Sequence, residues 1–116
     1  MLINWDDVYP QLDDAALDER RAALVRRARA VLKFGWEDFR YVWNPTDVVR
    51  VALLLEDDAI LADLGTTRTA VLSSAAYDLF GFSAGRQDNA EGNPRVLQWF
   101  LSAHSDLIPP GRPADS

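Results

Sequence analysis

The sequence predicts an all-α fold: one compact domain of five or six helices around a central buried helix at about residues 45–56. Three observations lead there. Asn44 to Glu56 (NPTDVVRVALLLE) is the most apolar run in the chain and carries its own helix-start signal. Apolar residues recur at helical spacing between Asp14 and Phe34 and stop at Gly35. The segments 57–65 and 66–81 repeat that punctuation, with an Asp or Thr in front and a glycine behind. Acids and hydroxyls cap helix N-termini, and glycine accepts the left-handed turn that ends them.

Taken in order, Asn4 can cap a short turn over Trp5, Asp6, Asp7, Val8 and Tyr9, which Pro10 limits. Asp13 or Asp14 caps a long helix to about Phe34, with Leu17, Leu24, Val25, Ala28, Val31 and Leu32 as its apolar stripe. Arg21 falls among the stripe positions, so it either snorkels to the edge or meets a carboxylate. GWEDFRYVW, residues 35–43, is ambiguous between helix and strand. Helix is the expectation, with Trp36, Phe39 and Trp43 on one face and Tyr41 away from it. The central helix follows, with Asn44 as cap, Pro45 at the first helical position and Asp47 in the first turn. Between Val48 and Leu55 only Arg50 is charged, and a helix apolar on every side is buried on every side.

Asp57 or Asp58 then starts a short helix that Gly65 ends. Thr66 or Thr67 caps the next, which turns Val71, Leu72, Ala75, Ala76, Leu79 and Phe80 inward and stops at Gly81. Phe82 to Gly92 reads as a polar, glycine-containing loop. Asn93-Pro94 repeats the Asn44-Pro45 signal and opens a last helix carrying Val96, Leu97, Trp99, Phe100 and Leu101. The domain spans 1–104, and a Pro-rich tail, 105–116, follows.

Composition bounds the function classes. The 116 residues are 48% hydrophobic and 26% charged, which is globular, and a fold of this size buries about two thirds of its surface. There is no cysteine, hence no disulfide framework and no thiol chemistry. No stretch is long and apolar enough for a membrane span, and MLINWDDVYP lacks the features of a secretion leader. These features predict a cytoplasmic protein that does not engage membranes. Arginine supplies 11 of the 12 basic residues, a bias of high-GC genomes that points to a bacterium or bacteriophage.

Net charge is −6 and unevenly spread. Residues 1–19 hold six acids and no base, while 20–33 hold six bases and no acid. Acids at the start of a helix and bases at its end suit the macrodipole, which explains the segregation without invoking function. A net-acidic chain repels nucleic acid, so a nucleic-acid partner is not expected.

Gly81-Phe82-Ser83-Ala84-Gly85 matches the G-x-S-x-G nucleophile pattern, with Asp88 and His104 following. That pattern works on a strand-to-helix turn above a parallel sheet, which this chain does not predict. His104 is the only histidine, and the Asp13-Asp14 and Asp57-Asp58 pairs sit where caps belong. No metal, cofactor or catalytic residue is assigned. Asp58 to Phe80 resembles a helix-turn-helix, which would place Thr67, Arg68 and Thr69 at the reading end of a recognition helix. That region is rich in Asp, against the six to ten or so phosphate contacts of such proteins. Trp99-Phe100 with Leu107, Gly111, Pro113, Ala114 and Asp115 resembles a short stretch of some bacterial antitoxins, over less than a fifth of the chain.

The expected function is a non-enzymatic interaction module, either regulatory (antitoxin- or immunity-like) or a viral assembly component. It would bind a protein partner or itself as an oligomer. Its candidate contact residues are Arg26, Arg29 and Lys33 on the outer face of the long helix, with Trp36, Phe39, Tyr41 and Trp43. DNA binding through Thr67, Arg68 and Thr69 is the alternative, and a small helical enzyme with a site assembled only in the fold is the third.

Overall fold

The computed structural model describes residues 3–8 and 10–107 and is all-helical among them. The single turn α1 (Trp5–Val8) precedes α2 (Asp14–Phe34), α3 (Pro45–Leu54), α4 (Asp58–Asp63), α5 (Arg68–Phe80), α6 (Phe82–Ala90) and α7 (Pro94–Leu107). No helix among the described residues is long and apolar enough to cross a membrane. The tail expected from Ser105 begins later, because α7 continues to Leu107, and the rest of it lies outside the described residues.

Four helices start on the side chains that local chemistry selects. Asp13 accepts the Ala16 amide, Asn44 that of Asp47, Asp57 that of Ile60 and Thr67 that of Ala70, at 2.8, 2.9, 3.3 and 3.2 Å. Each satisfies one otherwise orphaned N–H of a first turn. α3 is the centre, in contact with α2, α4, α5 and α7. Val48, Val51, Ala52 and Leu54 are buried, and no residue from Val48 to Leu55 is exposed. The larger apolar cluster joins α2, α3, α5 and α7; a smaller one joins α3, α4 and Val71. Trp36, Trp43 and Leu53 pack against both. Arg21 meets carboxylates: it bonds Asp18 and Asp106 and donates to Ser102 Oγ.

The structure departs from the sequence reading at several places. Residues 36–43 are neither helix nor strand but two linked turns. The Trp36 carbonyl accepts the Phe39 and Arg40 amides, and the Phe39 carbonyl accepts those of Val42 and Trp43. The segment lies between Gly35, at φ 83°, and Asn44, which is extended to cap α3. Too few uninterrupted residues remain to nucleate a helix, and aromatic side chains do little to help. The inward spacing of Phe39 and Trp43 survives, with the rings stacked at 4.7 Å.

The second departure is α6, where a loop was expected. Gly81, at φ 86°, ends α5, and its carbonyl accepts the Gly85 amide, so the next helix begins at once. Gly85 is a packing residue. A Cβ there would lie 2.8 Å from Tyr77 Cα, 2.9 Å from Tyr77 N and 3.0 Å from Ala76 C. Alanine is worth up to ~1 kcal/mol more than glycine inside a helix, but this methyl would meet backbone that cannot swing aside. Gly85→Ala is therefore expected to cost about 1–3 kcal/mol in urea unfolding. An increase in stability would mean that α6 does not cross α5 this closely.

The third departure is the start of α7. Asn93 does not act as Asn44 does. It is buried, sits at φ 65°, and donates its amide to Ser73 Oγ at 3.2 Å. The cap comes instead from Asp88 on α6, which is only 3% exposed. Its Oδ1 accepts the Arg95 amide at 2.8 Å and its Oδ2 that of Val96 at 3.0 Å. Lastly, Leu32 leaves the predicted stripe and is exposed, because the end of α2, residues 32–35, runs clear of its neighbours.

Candidate functional site

The outer face of α2 carries the cations where helical spacing puts them. Arg26, Arg29 and Lys33 are all exposed. Arg26 has no ion-pair or hydrogen-bond partner among the described residues. Arg29 donates to the Asp106 carbonyl near the end of α7 at 2.8 Å, so it also ties the two helices together. The Lys33 ammonium lies 5.2 Å from the centre of the Phe34 ring.

The aromatic candidates divide. Trp36, Phe39 and Trp43 are half-buried and pack against the core. The Trp36 indole donates to Asp57 Oδ2 at 2.9 Å, on the same carboxylate that caps α4. All three are held in place by core packing, by the Phe39–Trp43 stack and by the Trp36 hydrogen bond. Tyr41 is the member that faces outward, 84% exposed, with the Arg40 guanidinium 5.2 Å from its ring centre. Arg40 in turn pairs with Asp63.

Three further residues belong to this end of the molecule and were not read as contact residues from the sequence, Leu32 having been placed in the apolar stripe. Leu32, Phe34 and Val42 are 65%, 59% and 78% exposed. Contiguous apolar patches left in water mark contact surfaces, while apolar residues exposed singly are ordinary. The available signal was Phe34 itself, an aromatic on the last turn of α2 whose place lay outside the predicted stripe. The end of α2 and the turns after it thus expose Leu32, Phe34, Tyr41 and Val42, and the outer face of α2 exposes Arg26, Arg29 and Lys33.

The helix-turn-helix residues are placed differently. Thr67 spends its hydroxyl on the α5 cap, and Thr69 is exposed. Arg68 forks Asp58 with bonds of 2.7 and 2.9 Å and lies 3.6 Å from Glu56. Hydrogen bonding to Arg68 holds the Asp58 carboxyl below its usual range, and the same bond raises the guanidinium. A depressed carboxyl contributes while it stays ionised, so this pair persists at neutral pH and is lost as pH falls through the lowered value. The one cation at that helix end is thus already neutralised by acids.

The G-x-S-x-G residues are not brought together. Both carboxylate oxygens of Asp88 are occupied by α7 amides. His104 instead lines an apolar groove with Leu53, Leu72, Leu97 and Leu101, which Asp88 does not reach. No group of three or more His, Asp or Glu side chains among the described residues could hold a metal ion. No family model, curated protein or solved structure matches the chain.

Proposed function

We propose that the chain is a non-enzymatic interaction module that binds a protein partner or a second copy of itself through the end of α2. The observation that carries this reading is the exposure of Leu32, Phe34, Tyr41 and Val42 along the end of α2 and the turns after it, on a stretch of chain that also exposes Arg26 and Lys33. Interfaces are enriched in aromatics and arginine, with an apolar centre and a polar rim. Positive charge on a net-acidic chain adds steering toward an acidic surface. A regulatory or assembly role is in keeping with such a module. The DNA-binding alternative rests on one arginine that Asp58 and Glu56 already engage.

The test replaces Arg26, Arg29 and Lys33 with glutamine together. Exposed ion contacts are worth about 0–1 kcal/mol each, so urea unfolding is expected to change little. Sedimentation equilibrium and affinity capture from the source cells, each across a salt series, are expected to record weaker association with a flatter salt dependence. Unchanged oligomer size and unchanged partners would remove these cations from the interface.

A further inference from the structure

We propose that the recess between α2, α3, α5 and α7 binds a small organic oxyanion, a carboxylate or phosphate ester on a compact apolar body. This goes beyond the interaction surface and does not depend on it. The recess has a volume of about 210 Å³. Pockets for drug-sized ligands run to ~300–1,000 Å³, so the occupant here is a single ring or a short chain.

The charge at this place is out of proportion to a chain of net charge −6. Arg20 and Arg27 line the recess from one face of α2 and Arg50 from α3, with Asp47 as the one lining carboxylate. Existing pairs leave donors over. Arg50 bonds Asp78, while Arg27 and Asp47 stand 3.8 Å apart. Arg20 has no partner among the described residues. Each guanidinium has five N–H donors and no acceptor. Arg50 and Arg27 each meet a carboxylate, whereas Arg20 is exposed and its donors are open to solvent or to a ligand.

The Trp99 ring forms the α7 wall. Planar guanidinium forks match the geometry of carboxylates and phosphates. The apolar walls, from Leu24 and Leu79, call for a hydrocarbon body rather than an inorganic ion.

The test is a titration of the full chain followed by proton–nitrogen NMR. Benzoate and phenyl phosphate are added separately, against sodium chloride at matched ionic strength, with benzyl alcohol as the neutral analogue. With at least one acid, saturable shifts are expected at the Ala23 and Arg27 amides and the Trp99 indole. Saturation by benzoate identifies a carboxylate ligand, and saturation by phenyl phosphate a phosphate ester. Arg20→Gln/Arg27→Gln is expected to weaken binding about tenfold or more, as loss of charge-assisted bonds does. Should that variant be less stable, Arg20→Gln alone, which breaks no pair, makes the same comparison. Shifts with both acids no larger than with chloride, equal binding of benzyl alcohol, or undiminished affinity in the arginine variants would overturn the proposal.

Discussion

Leu54→Ala is expected to lower the free energy of unfolding by about 2–5 kcal/mol. Leu54 is 3% exposed in the middle of the larger apolar cluster, on the helix that touches α2, α4, α5 and α7. Truncation removes the transfer energy of the lost carbons and leaves a cavity that four helices can close only by moving together. Leu54 also floors the groove lined by Leu97 and Leu101, and water entering from that side would place the cost in the lower half of the range. Urea unfolding followed by circular dichroism measures it. A loss under ~1 kcal/mol would mean that α3 is not the centre of the fold.

Asp88→Ala is expected to be about as damaging, at about 2–4 kcal/mol, although Asp88 belongs to no apolar cluster. It is the sole side-chain cap seen for α7, and the Val96 amide it satisfies is buried. Losing it removes a charge-assisted cap and strands that amide away from water. Asp88→Asn keeps one oxygen but turns an N–H₂ toward a second N–H. That variant should fall between wild type and alanine in the same measurement. If Asp88→Ala matched wild type, Asn93 would have to cap α7 after all.

These two residues mark what the chain discloses about its fold. Leu54 was readable because an all-round apolar run with an Asn-Pro start is complete within thirteen residues. The caps at Asp13, Asn44, Asp57 and Thr67 were readable for the same reason, since each acts on an amide three residues away. Asp88 acts on amides seven and eight residues away, across a reversal that only the fold supplies. Gly85 looked like loop flexibility because its role depends on Tyr77, a partner on another helix. The Asn-Pro signal meant one thing at Asn44 and another at Asn93 because burial against Ser73 redirected the second side chain.

The candidate surface was half legible. Helical spacing put Arg26, Arg29 and Lys33 outside and separated Tyr41 from its aromatic neighbours, even though residues 36–43 are turns. It could not give the exposure of Leu32, Phe34 and Val42, which follows from where other helices stop covering α2. The recess with Arg20, Arg27 and Arg50 was invisible for a similar reason. Its walls come from four helices between positions 20 and 99.

The single residue between α5 and α6 has a kinetic side. Gly81 leaves almost no loop to close, so these two helices meet at little cost in chain entropy. The seam between α2 and α7 is the opposite case: its Arg21–Ser102 bond joins positions 81 residues apart. Low contact order favours early assembly, and distant contacts wait until the intervening chain is in place. The α5–α6 corner is therefore expected to form before the α2–α7 seam, with φ-values higher at Gly85 than at Ser102.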